Sequence, residues 1–185
     1  MSIEAFESVL SGAQAGAAWA LTILYRDLQP RVLRYLSVRE PAEAEDLASE
    51  VWLDVAAGIG RFRGDEDGFR AWVFTIARRR LLDLRRRASV RRDKPVPQEL
   101  LGGGDRGIGD VEGEALASIE ADAALALIAT LPPDQGDVVL LRVIGDLSVA
   151  DVAKILGKRP GAIRGLQHRA LKGLARKISH EAVTE

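Results

Sequence analysis

The 185-residue chain has no cysteine, a single methionine and only two histidines, and aromatic residues make up just 5% of it. Each scarcity closes off a kind of chemistry. Without cysteine there are no disulfides, no thiolate metal ligands and no cysteine nucleophile, a usage that suits a reducing compartment. His168 and His180 have no further histidine at metal-ligand spacing and no obvious nucleophile beside them, so both read as solvated helix residues. No catalytic residue and no metal site is expected. Long apolar runs are missing too: charges interrupt every hydrophobic stretch before it could span a bilayer. The N-terminal MSIEAFESVLSGAQAG lacks the basic segment and apolar core of a secretion signal. A cytoplasmic protein without membrane insertion is expected.

What is present points to packed helices. Apolar residues form 47% of the chain, enough to bury a core in one or two domains. They recur at helical spacing, with hardly any β-branched alternation between turn signals. The fold is expected to be all α. In PAEAEDLASEVWLDVAAGI, Leu47, Ala48, Val51, Trp52, Val55 and Ala56 share one face, opposite Glu43, Asp46, Glu50 and Asp54. Pro41 suits the first turn of that helix and Gly58 its stop. LTILYRDLQPRVLRYL reads as a helix broken or kinked at Pro30, which lacks a backbone donor. GRFRGDEDG reads as a polar loop before the helix FRAWVFTIARRRLLDLRRR, in which Trp72, Val73, Ile76, Ala77, Leu81 and Leu84 can point inward.

The net charge of -1 conceals two opposed blocks: residues 78–94 carry nine positive and two negative side chains, and residues 95–122 one positive and seven negative. Periodicity stops at Ala88, and Pro95, Pro97 and GGGDRGIGD then make a flexible acidic tether. Gly102, Gly104 and Gly107 satisfy GxGxxG, but no strand delivers them to a helix N-terminus, so no small-molecule cofactor is expected. Helical spacing resumes at Glu114. The expected organisation is a helical domain over residues 1–90, a linker over 91–113 and a smaller helical domain over 114–185.

LSVADVAKILGKRPGAIRGLQHRAL fits a helix-turn-helix. Such a unit needs a small residue where its helices cross, a glycine able to adopt positive φ at the turn and an apolar residue in the second helix. Ala153, Gly157 and Ile163 fill these places, with Val152, Leu156 and Leu166 completing the internal face. Ser148 can cap the first helix and Pro160 can open the second. Packing Ile163, Leu166, Ala170 and Leu174 inward leaves Arg159, Arg164, Gly165, His168 and Lys172 outward, where arginine can read guanine in a major groove. Arg169 and Lys158 are better placed for phosphates. A plain helical hairpin with a solvated basic face is the alternative.

The arginine runs 78–80 and 85–87 lie about two helical turns apart and so lay positive charge along one helix. A stripe of that kind repels itself unless a polyanion neutralises it, and nucleic acid is the expected partner. Phe69, Trp72 and Phe74 just before it could stack on unpaired bases, or could be core aromatics beside a basic helix end.

A basic aromatic helix, an acidic tether and a C-terminal helix-turn-helix, in this order, resemble the two-domain extracytoplasmic-function (ECF, group IV) sigma factors of bacterial RNA polymerase. The resemblance covers Leu21 to Arg87 and Ala124 to Ile178 and is carried by YRDLQPRVLRYL, AEDLASEVW, FRAWVFTIARRRLLDLRRR, LPPDQGDVVLLR and the helix-turn-helix stretch. It implies a region 2 helical bundle and a region 4 helix-turn-helix joined by the linker. Asp46, Leu47, Glu50, Val51 and Trp52 would then contact core polymerase at the β′ clamp coiled coil, with the β flap as a second contact. Arg61, Phe62, Arg63, Phe69, Trp72, Arg78, Arg79, Asp83 and Arg86 would capture the melted minus-10 element. Arg159, Gly161, Arg164, Gly165, His168, Arg169 and Lys172 would read the minus-35 duplex. The resemblance further implies promoter DNA and an anti-sigma factor as partners, and no enzymatic activity.

Three positions depart from the family pattern. In ARNxxxDxxR, matched by Arg78, Asp83 and Arg86, Arg79 replaces asparagine; Ser49 stands where glutamine is frequent and Ala162 where threonine is. A stand-alone helix-turn-helix regulator with an N-terminal sensing or dimerising domain is the competing reading, and such a protein would bind palindromic sites as a symmetric dimer.

Overall fold

The computed structural model describes residues 3–92 and 123–181, with side chains over 3–90 and 123–178, and all regular structure among them is helical. The N-terminal half holds α1 (Ile3–Gln14), α2 (Ala18–Arg39), α3 (Ala44–Gly58) and α4 (Glu66–Arg92). The C-terminal half holds α5, described over residues 123–129, then α6 (Pro133–Val143), α7 (Val149–Leu156) and α8 (Pro160–Glu181). The expected linker, its GxGxxG glycines and residues 114–122 lie outside the described residues. No helix among those described is long and apolar enough to cross a membrane.

α4 is the centre of the N-terminal half, packed against both α2 and α3. Phe69, Val73, Phe74, Ile76, Ala77 and Leu81 of α4 are all buried, an arc wider than one helical stripe because α4 is covered from more than one side. Phe74 meets Tyr35 of α2 edge-on, at 5.7 Å between ring centroids and 78° between planes. α1, which the motifs did not single out, adds Phe6, Val9 and Ala13 to the core. Its last residue, Gln14, donates through Nε2 to the carbonyls of Ile59 (3.2 Å) and Phe62 (2.9 Å), fixing the loop ahead of α4.

Boundaries differ from expectation in four places. Pro41 opens a 3-10 turn, Pro41–Glu43, ahead of α3 rather than the first turn of α3 itself, and α4 starts at Glu66, inside the expected loop. α2 runs unbroken through Pro30, whose side is exposed, so the missing donor falls where water can reach the freed carbonyl. α4 continues past Ala88 to Arg92, because nothing before Pro95 breaks a helix and arginine and alanine are strong helix formers.

The helix-turn-helix forms as its spacing requires. Ser148 caps α7 by accepting from the Asp151 amide at 3.1 Å. Gly157 ends α7 at φ 62° and ψ 34°, a left-handed conformation that glycine adopts without cost. Ile163 and Ala170 of α8 then reach the core shared with Val152 and Ala153.

Candidate nucleic-acid interface

With Ile163 and Ala170 buried and Leu166 and Leu174 half-buried, the opposite face of α8 is free. Gly161, Arg164, His168, Arg169 and Lys172 are exposed on it, Arg159 is exposed just ahead of it, and Gly165 is half-buried. Lys158, expected to reach a phosphate, instead pairs with Asp134 at 2.9 Å.

In the N-terminal half the sequence left three aromatics open between core and surface. Phe69 and Phe74 are core residues, at 1% and 0% exposure, so the structure removes Phe69 from the surface offered to DNA. Trp72 is half-buried and stacks on Phe62, with centroids 5.2 Å apart and planes 28° apart. The close fit requires Gly58, since a Cβ there would stand 2.8 Å from the indole. The available stacking surface is therefore the Phe62–Trp72 pair. Arg61 and Arg63 flank it, and Arg63 donates to the carbonyls of Gly60 (3.1 Å) and Phe62 (2.6 Å).

The arginine stripe is divided among several partners. Arg79 donates to Asp54 at 2.7 Å, and Arg80 holds the same carboxylate through Nε (2.8 Å) and Nη2 (2.5 Å) while its Nη1 reaches Glu50 at 3.1 Å. Arg85 Nε donates to Glu40 at 2.7 Å, pinning α4 to the end of α2. Arg78 lies against Asp137 of α6. Arg86, 3.6 Å from Asp83, and Arg87 remain exposed. Arg79, assigned by resemblance to DNA, thus spends its charge on α3.

Hydrogen bonds from Arg80, reinforced by those from Arg79, hold the Asp54 carboxyl below its ordinary value of 3.8, and the pair in turn raises the Arg80 guanidinium. A depressed carboxylate adds stability above its ordinary pKa and loses it as the pH falls through the folded value. Thermal unfolding of Asp54→Asn against the wild type should accordingly show its widest melting-temperature gap above the ordinary carboxylate value of 3.8, narrowing as the pH falls below it. A gap independent of pH would mean that these pairs contribute nothing.

The acidic face of α3 is only partly open. Asp46 is exposed, Glu50 is engaged by Arg80, and Leu47 and Val51 are buried at 5% and 0%, so these two belong to the core rather than to a partner surface. Trp52 is half-buried; its Nε1 donates to Gln29 at 2.5 Å and its ring lies 5.0 Å from Tyr25. Leu21, Tyr25, Trp52 and Val55 line an apolar groove between α2 and α3, with Trp19, Ile23 and Leu53 exposed nearby. The α2 side of this surface was missed. Its signal was the pair Trp19 and Ile23 at i, i+4, beside the inward row Ala20, Leu24 and Leu28.

A helical N-terminal half with a basic, aromatic helix, followed by a helix-turn-helix with an exposed basic face, defines a two-part DNA-binding protein. Residues 24–91 match sigma-70 region 2 and residues 121–174 match sigma-70 region 4. The ECF RNA polymerase sigma factor SigD of Mycobacterium tuberculosis is 33% identical, over 96% of this chain and 86% of its own length. The ECF sigma factor BldN of Streptomyces coelicolor is 36% identical over 92% of this chain, which spans 64% of that relative. Among solved structures, the sigma factor RpoE in complex with the anti-sigma factor NepR from Bartonella quintana superposes with a TM-score of 0.62 over 85% of this chain and 96% of that one. At 21% identity that likeness concerns the fold alone. The chain belongs to the ECF RNA polymerase sigma factors. Sigma factors are DNA-binding transcription-initiation factors, which favours this reading over a stand-alone regulator.

Proposed function

We propose that this chain is a group IV sigma factor that binds core RNA polymerase in the cytoplasm and directs promoter-specific initiation, without catalytic activity of its own. Residues 1–90 hold the polymerase and read the melted minus-10 element, residues 91–113 act as the tether, and residues 114–185 read the minus-35 duplex. The observation that carries this reading is the exposed row Arg164, His168 and Lys172 on α8, with Arg159 exposed just ahead of it, held outward by buried Ile163. A helix presented in that way fits a major groove. The Trp52–Tyr25 groove beside Asp46 suits the β′ clamp, with the β flap meeting the C-terminal half. Phe62 and Trp72 offer a flat surface for an unstacked base. An anti-sigma factor covering the polymerase-binding surface is a further partner, in keeping with the RpoE–NepR complex.

The test is DNA binding with and without core polymerase. Tight, sequence-specific binding only with polymerase supports the reading; strong binding to a palindromic site without it would replace the sigma factor with a dimeric regulator. Within the holoenzyme, Arg164→Ala is expected to cost about 1–3 kcal/mol at one upstream base position and to relax selectivity there. Loss spread evenly over all promoters would make Arg164 a phosphate contact instead.

A further inference from the structure

α1 lies ahead of the region 2 stretch, yet it packs against the 3-10 turn Ile59–Arg61 that leads into the Phe62–Trp72 pair. Its buried row Phe6, Val9 and Ala13 leaves Gln14, half-buried at the end of the helix, beside this turn. One nitrogen of the Gln14 amide makes both contacts, donating to the Ile59 carbonyl at 3.2 Å and to the Phe62 carbonyl at 2.9 Å. An amide nitrogen carries two hydrogens, one for each acceptor. A second link runs through rings: Phe6 lies 6.0 Å from Phe69, which meets Phe62 edge-on at 5.4 Å and Trp72 at 5.8 Å. α1 therefore holds the aromatic pair through its backbone as well as through its rings.

The Phe62 carbonyl has another holder, and that one is mobile in kind. Arg63 Nη1 reaches it at 2.6 Å and the Gly60 carbonyl at 3.1 Å, but Arg63 is exposed beside the aromatic pair. A guanidinium so placed is drawn to the phosphates of an incoming strand, because a bond between two charged groups is stronger than one to a neutral carbonyl. Gln14 is neutral and fixed on a packed helix, so it stays when Arg63 leaves. Phe62 needs such an anchor: it sits in extended backbone at φ -63° and ψ 139°, between two helical elements, where no helical ladder fixes its carbonyl. Stacking accepts any base, so choice among bases depends on the distance between the base edge and the polar groups of this loop. We propose that Gln14 is a positioning residue of the minus-10 reader, holding the loop at Phe62 in place once Arg63 has turned to a phosphate and thereby setting which unpaired base is accepted. This assignment rests on the function proposed above, in which Phe62 and Trp72 receive an unstacked base.

The test compares holoenzymes made with the wild type, Gln14→Met, Gln14→Glu and Gln14→Lys on a fragmented genomic library, reading base preference at each promoter position from the transcripts that start. Methionine keeps the length without donors, glutamate keeps the shape but only accepts, and lysine restores donors. Discrimination at one minus-10 position should fall about 3- to 10-fold in Gln14→Met and Gln14→Glu, with the minus-35 preference unchanged. Gln14→Lys should retain the wild-type preference. A variant that is merely destabilised gives fewer starts with the same motif, so the profile by position separates positioning from folding. Should Gln14→Glu fail to co-migrate with core polymerase, Gln14→Met decides; loss of polymerase binding in both would make Gln14 a folding residue and overturn the assignment. Wild-type preference in Gln14→Met, or equal relaxation in Gln14→Lys, overturns it as well. If the wild type itself yields no polymerase-dependent start, the minus-10 reading falls and the assignment with it, an outcome seen before any variant is compared.

Discussion

Ile163→Ala is expected to abolish initiation that depends on the minus-35 element while leaving polymerase binding by the N-terminal half intact. Ile163 has no exposed surface and is the side chain through which α8 enters the core that includes Val152 and Ala153 of α7. Truncating a buried isoleucine to alanine costs about 2–5 kcal/mol, through lost transfer energy and the cavity left behind. Whole domains are stable by only about 5–15 kcal/mol, and a short helical half sits low in that range. The loss therefore removes most of what keeps α7 and α8 together, and with them the outward face that holds Arg164 and His168. Leu171→Ala, on the exposed side of the same helix, should change stability by no more than about 0.5 kcal/mol. Thermal unfolding of both variants, alongside transcription from promoters with and without the minus-35 element, checks this. An Ile163→Ala protein that melts and initiates like the wild type would mean that the helix-turn-helix is held together elsewhere.

Phe74→Ala should be equally damaging in the other half and should fail differently. Its ring is fully buried on the central helix and packs edge-on against Tyr35, itself buried. The cavity alone costs about 3–5 kcal/mol, and the lost aromatic contact adds about 0.5–1.5 kcal/mol. Tyr35 has no spare stability to offer, since its hydroxyl is buried without a hydrogen-bond partner. Burial, followed by the nearby charge of Asp137, keeps that phenol neutral well beyond its usual range. Phe74→Ala should therefore lose binding to core polymerase outright, measured by co-migration on size exclusion, whereas Ile163→Ala should keep it. Retained polymerase binding by a partly melted Phe74→Ala protein would show that α2 and α3 suffice without the α4 core.

The contrast between these residues marks how far the sequence can be read. The helix-turn-helix was legible in detail because its geometry is local: Ser148, Ala153, Gly157 and Ile163 are fixed by spacing within one short stretch, and each does what that spacing demands. The helix with Trp52 was legible for the same reason, through a repeating apolar face. α4 was harder, because a helix enclosed on several sides buries a broad arc, and periodicity alone could not decide that Phe69 and Phe74 go inside while Trp72 stays half-exposed on Phe62. The basic stripe was visible as charge, but not its division among Asp54, Glu50 and Glu40, which are 25 to 45 residues away. The pairing of Arg39 and Arg78 with Asp137 could not be anticipated at all, since it depends on how the two halves meet.

The most direct test of the central claim is to combine the purified chain with core RNA polymerase and a fragmented genomic library, then sequence the transcripts that start only when both proteins are present. Starts that share a two-part upstream motif, with the minus-35 part lost in Ile163→Ala, are the predicted result. If no start depends on the chain and it does not bind core polymerase, with no inhibitor bound to it, the promoter-specificity account is contradicted.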